Sequence, residues 1–161
     1  MESRAKLLGH PIHPMLIVLP LGMFIAAVVF DAIFIWRDSL AFSLGAYWNI
    51  AGGILGGLLA AIFGLIDWLA IPAGTRAKRI GLLHGALNVL VILAFAVAWL
   101  QRGATLNHAP TYGVFFLEVA ALGVGAVSGW LGGELVDRLA VGVDDGANLD
   151  APSSLSRRSA R

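Results

Sequence analysis

Four apolar runs, roughly His13 to Trp36, Gly45 to Ile71, Ile80 to Leu100 and Tyr112 to Val136, are separated by short polar intervals. Each is long enough to cross a hydrocarbon layer, which takes about 20 apolar residues in helical form. The pattern predicts an all-α chain, an integral membrane up-down-up-down four-helix bundle with short connections. Residues 1–143 form this transmembrane domain, and beyond Val143 a change to Asp, Ser, Pro and Arg predicts a disordered cytoplasmic tail over 144–161.

Within the runs, polar and small residues recur at helical spacings. The first span is entered through Gly9-His10-Pro11-Ile12-His13-Pro14, where Pro14 suits a first helical turn because its missing N–H leaves nothing unpaired. Pro20 lies deeper and predicts a bend, since it removes a backbone bond and crowds the preceding turn. Asp31 follows His13 by eighteen residues, about 27 Å along the axis and on nearly the same azimuth. Gly52, Gly56, Ala60 and Gly64 in the second span form a small-residue stripe, as do Ala121, Gly125, Gly129 and Gly133 in the fourth. Such stripes predict inward faces that admit a neighbouring backbone or a planar group. Asp67 continues the second-span stripe, His84 and Asn88 share a face of the third span, and Glu134 closes the fourth.

Composition agrees with this picture: the 161 residues are 58% hydrophobic and only 13% charged, too apolar to hide in one small aqueous core. The chain has no cysteine, which excludes disulfides, thiolate metal sites and cysteine-ligated iron–sulphur clusters. A net charge of +1 leaves no nucleic-acid footprint. Arg4 and Lys6 precede an apolar run too long for a signal-peptide h-region, so the first span is expected to remain. Nine of the eleven Lys and Arg lie in the leader, the second loop and the C-terminal end, against Arg37 and Arg102 on the other side. The positive-inside rule therefore predicts cytoplasmic termini. Trp36, Trp48, Trp68, Trp99 and Trp130 stand near span ends, as interfacial aromatics do.

That topology brings His13, Asp67, His84 and Glu134 to the cytoplasmic end, one ionisable group per span, while Asp31, Asn49 and Glu118 form a sparser group toward the opposite end. Ionisable residues inside a membrane are costly and by default indicate function. Three readings compete for the ring. Haem b held by His13 and His84 from diagonal spans, with Arg76, Lys78 and Arg79 toward its propionates, predicts an electron carrier without intrinsic catalytic activity. A zinc, iron or manganese ion held by His10 or His13 with Asp67, His84 and Glu134 is the alternative. The third reading is structural: interfacial histidines, carboxylates paired with Arg76 and Arg138, and glycines that serve packing, with a proton path through both polar groups as its functional variant. Neither an HExxH sequence nor a phosphate-binding loop is present.

The opening Gly9-His10-Pro11-Ile12-His13-Pro14 with Pro20-Leu21-Gly22, then Gly81-Leu82-Leu83-His84, then Gly129-Trp130-Leu131-Gly132-Gly133-Glu134-Leu135-Val136, resembles the bacterial membrane family called domain of unknown function 2231, over about residues 7 to 143. The resemblance implies a four-helix protein of the bacterial inner membrane, with His10, His13, His84 and Glu134 on family-like motifs. Some similar proteins carry a Rieske iron–sulphur domain after the membrane part, which implies electron transfer. This chain ends in a short tail without cysteine, so a redox partner would be a separate protein, or a further copy of the chain in a homo-oligomer.

Overall fold

The computed structural model describes residues 1–156. A two-stranded antiparallel hairpin, β1 (Lys6–Leu7) and β2 (His10–Pro11), leads into α1 (Ile12–Leu16) and α2 (Val18–Arg37), which together make the first span. The second span is α3 (Leu40–Ala70) and the third is α4 (Arg76–Gly103). After a 3-10 turn at Leu106–His108, α5 (Tyr112–Gly133) continues into a π-helical turn at Glu134–Arg138 to complete the fourth. Among the described residues these are four segments long and apolar enough to cross a membrane. The helices start and stop where local chemistry dictates. Thr75 and Thr111 accept the backbone N–H of Lys78 and Val114 as N-caps, and the left-handed Asp38 (φ 50°) turns α2 into α3.

The expected bend in the first span falls at Ile17, between α1 and α2, one turn before Pro20. Proline at position 20 cannot donate to the carbonyl of Leu16, so the ladder is interrupted there. The second and third spans begin earlier than hydropathy indicates, at Leu40 and Arg76, because polar Ser43 and Lys78 belong to helical turns at the membrane boundary.

α2 packs on α3 and α4 on α5, with α3 against α4 and α5 against α2 closing the bundle. The outward faces carry Leu55, Leu58, Leu59, Ile62 and Leu65 of α3, with similar side chains elsewhere, all exposed in the isolated chain and suited to lipid. On the diagonal, Phe24 and Phe95 stack with ring centroids 4.0 Å apart at the middle of the core.

The two hairpins of spans are versions of one another. Buried Pro20, Phe24, Ala27 and Asp31 of α2 have buried counterparts 71 positions later in α4, namely Val91, Phe95, Ala98 and Arg102. Buried Ala46, Ile50, Gly53 and Ala60 of α3 correspond, 68 positions later, to Val114, Glu118, Ala121 and Ser128 of α5. The pairs His13–His84, Phe24–Phe95 and Asp31–Arg102, each separated by the same 71 positions, meet across the bundle.

The leader does not trail away. Leu8 and Gly9, both at positive φ (52° and 87°), form the two-residue turn of the β1–β2 hairpin, the geometry in which glycine is favoured. The ammonium group of Met1 donates to Ala140 O at 2.8 Å, which ties the start of the chain to the end of the fourth span. Residues 144–156 run in turns beside the leader, where Asp144 lies 3.8 Å from Lys6, and the remainder of the tail, 157–161, lies outside the described residues.

Candidate functional site

His13 enters the bundle from α1 and His84 from α4, and their rings meet edge-on with centroids 6.2 Å apart at 87°. Each is clasped by the second helix of its own half. His13 Nδ1 lies 2.8 Å from Ala60 O, and His84 Nδ1 lies 2.8 Å from Ser128 O. A carbonyl oxygen can only accept, so both imidazoles carry their proton on Nδ1 and turn the lone pair of Nε2 outward from the clasp. At His84 that lone pair takes a hydrogen bond from Asn88 Nδ2 at 3.0 Å, and the Ser128 hydroxyl donates back to the carbonyl of His84 at 3.1 Å.

Glycine supplies the room. A Cβ at Gly64 would come within 2.9 Å of the His13 ring, and one at Gly132 within 3.2 Å of His84 Cε1. These glycines stand four residues beyond Ala60 and Ser128, so each half seats its imidazole with the same carbonyl-and-glycine pair. The remaining small residues divide unevenly. On α3 the stripe faces inward as expected, Gly52 toward Met23, Gly53 toward Phe24 and Gly56 toward Pro20. On the fourth span Gly129 and Gly133 have nothing within 4 Å of a Cβ, and both are exposed. Four-residue steps advance about 40° beyond a full turn each time, so three such steps leave the core, while Ala121, Ser128 and Gly132 stay on the inward face.

The mixed imidazole–carboxylate set does not assemble: among the described residues no three His, Cys, Asp or Glu converge on a metal-binding position. Asp67 is occupied by the leader, accepting Ser3 Oγ at 2.7 and 2.8 Å and the N–H groups of Arg4 and Ala5 at 2.7 and 3.3 Å. Glu134 pairs with Arg76 at 2.6 Å, and His10 Nε2 lies 3.2 Å from Ser154 Oγ. Each carboxylate satisfies its charge with the nearest chain segment at the membrane boundary, which leaves His13 and His84 as the pair the fold brings together. Two of the cations expected near propionates are likewise engaged: Arg76 by Glu134, and Lys78 by the carbonyl of Trp68 at 2.7 Å and its ring at 3.9 Å.

At the opposite end Arg102 departs from expectation. It lies in the last turn of α4, fully buried, not in an exposed connection. Its Nη1 donates to Asp31 Oδ2 and, at 3.5 Å, to Glu118 Oε1; Nη2 donates to Ser43 O and Nε to His108 O, both at 2.9 Å. Asp31 and Glu118 are as buried as Arg102. Asn49 does not join them, since its amide donates to Gly45 O of its own helix at 2.8 Å. Tyr47 packs at the edge of the cluster, stacked between Trp99 and His108 with centroids 5.3 and 3.9 Å away.

No curated protein and no solved structure matches the chain. One family model does, over residues 9–145, a stretch that contains all four spans and both polar clusters. With the membrane-spanning bundle in place around the motifs at His10–Pro14, His84 and Glu134, the chain belongs to the predicted membrane protein family DUF2231.

Proposed function

We propose that this protein is an electron-transfer subunit of the bacterial inner membrane, with both termini in the cytoplasm, that holds haem b through His13 and His84 and exchanges electrons with a separate redox protein. The observation that carries the reading is the matched seating of the two imidazoles, each with Nδ1–H given to a backbone carbonyl of the neighbouring helix. That hydrogen bond fixes the tautomer, orients the ring and raises the basicity of Nε2, as it does in ligating histidines generally. Two imidazoles on diagonal spans, each engaged through Nδ1, are a donor set suited to haem b, which would supply a one-electron couple there.

The chain's own residues do the rest. Ala60 and Ser128 hold the rings, Gly64 and Gly132 give the rings the room they occupy, and His84 would exchange its hydrogen bond from Asn88 for the iron. The Arg76–Glu134 pair neutralises a carboxylate that would otherwise repel propionates. Cytoplasmic termini are supported by the nine basic residues of the leader, second loop and tail.

The test is an absorption spectrum of the purified full-length protein from haem-supplied cells, with metal analysis beside it. A Soret band lost in both His13→Ala and His84→Ala is the expected result. A colourless protein, or a band that persists in both variants, overturns the haem reading, and a C-terminal reporter active only in the periplasm overturns the orientation.

A further inference from the structure

The cluster at the far end contains two carboxyl groups and one guanidinium, all fully buried. Arg102 satisfies one oxygen of each acid, and the other two, Asp31 Oδ1 and Glu118 Oε2, have no hydrogen-bond partner among the described residues. Both acids reach the same nitrogen, Nη1 of Arg102, so two ionised carboxylates would stand on either side of a single guanidinium in a dry interior, an arrangement that disfavours ionisation of both. The groups that face them from the surrounding elements are Arg102 on α4, Ser43 and Tyr47 on α3, and His108 in the following turn. The other three are engaged elsewhere: the Ser43 hydroxyl donates to Asn107 O at 3.0 Å, Tyr47 stacks on His108, and the His108 ring is turned to Arg102 O at 3.2 Å. One guanidinium balances one carboxylate, and the second carboxyl group requires its own cation.

We propose that Asp31, Glu118 and Arg102 form a buried proton-binding site at the far end of the bundle, with one exchangeable proton held between the two carboxyl groups. A proton is the cation that fits because both acids are buried on one guanidinium, and each keeps an oxygen that Arg102 leaves unpaired and that a proton can occupy. The site is built from three spans, so it exists only in the assembled bundle. The turn after α4 is bonded to the site: exposed Asn107 and its neighbour His108 both adopt positive φ (58° and 56°), and their carbonyls accept from Ser43 and Arg102. This inference stands apart from haem binding, since the site is at the other end of the spans from His13 and His84.

Infrared difference spectroscopy of the full-length protein in lipid, in H2O and D2O at neutral pH, reads the proton directly. A protonated-carboxyl stretching band that shifts in D2O is expected in the wild type. It should disappear in Glu118→Gln and in Asp31→Asn, where an amide replaces one acid, and remain in Glu134→Gln and in His13→Ala. Carbon-13 labelling of Asp and Glu carboxyls in the wild type must shift the band and tests the assignment even where a substituted chain fails to fold. Absence of the band in folded wild-type protein, or its survival in both Glu118→Gln and Asp31→Asn, overturns the proposal.

Discussion

Gly64→Ala is a one-carbon perturbation aimed at the seat of His13. The added Cβ would lie 2.9 Å from both Nδ1 and Cε1 of the imidazole, closer than real Cβ contacts come, while Nδ1 is fixed to Ala60 O by a 2.8 Å hydrogen bond. The ring must swing away, and the bond to Ala60 is lost or stretched. Overpacking costs about 1–3 kcal/mol and the hydrogen bond about 0.5–1.5 kcal/mol, against about 1 kcal/mol recovered from the better helix propensity of Ala. The net expectation is a loss of roughly 1–3 kcal/mol. The equivalent Gly132→Ala is tight only against His84 Cε1, at 3.2 Å, so a shift of a few tenths of an ångström relieves it and the net change should lie within about 0.5 kcal/mol of zero. Gly85→Ala, with nothing within 4 Å, is the control and should not destabilise. Equilibrium unfolding in detergent, followed by tryptophan fluorescence, gives the three stabilities. The reasoning fails if Gly64→Ala is as stable as Gly85→Ala and nitrogen NMR shows the His13 tautomer unchanged.

Gly56→Leu should destabilise by about 1–3 kcal/mol because a Cβ there already meets Pro20 Cδ at 3.2 Å, whereas Gly129→Leu should be tolerated; equal thermal stabilities of the two variants would contradict this assignment of faces. Asp67→Ala should release the leader, read as faster hydrogen exchange at the amides of Arg4 and Ala5, and unchanged protection would show that other contacts hold it. The Lys6 ammonium beside Glu2, at 2.5 Å, holds that exposed carboxyl below its usual range. Its folded-state pKa is depressed, so the link is present above the ordinary value of 4.5 and is lost as pH falls through the lowered one. Protection of the Asp145 amide, which donates to Glu2 Oε1, measured as its exchange rate relative to a free peptide at the same pH, should therefore fall only at acid pH, and a midpoint above 4.5 would reverse the sign.

The spans and the meeting of His13 with His84 were legible in the sequence, because apolar length and alternation of direction fix which groups share an end. The role of Arg102 was not. A basic residue at the end of an apolar run reads as a boundary marker, and only three-dimensional packing reveals that Asp31 and Glu118 enclose it. A signal was nevertheless present: His13, Phe24 and Asp31 precede His84, Phe95 and Arg102 by one constant interval. Few identities accompany it, and its last pair is opposite in charge, so a search for similar residues passes over it. The fourth-span glycines misled for a different reason, since four-residue regularity is not the 3.6-residue period of a helix. Asp67, expected among possible ligands, was claimed by a leader whose hairpin only the positive-φ turn at Leu8 and Gly9 creates.

The shared pattern of buried positions in the two halves carries a risk of mispairing that one asymmetry counters. Partner choice between similar helical hairpins has little else to act on, because the apolar contacts around Phe24 and Phe95 would fit a copy almost as well. A first hairpin assembled with another first hairpin would set Asp31 against Asp31 with no guanidinium between them. Uncompensated like charges in a dry interior cost several kcal/mol. The buried ion pair thus serves as an address, favouring a second half over another first half as the partner of the first.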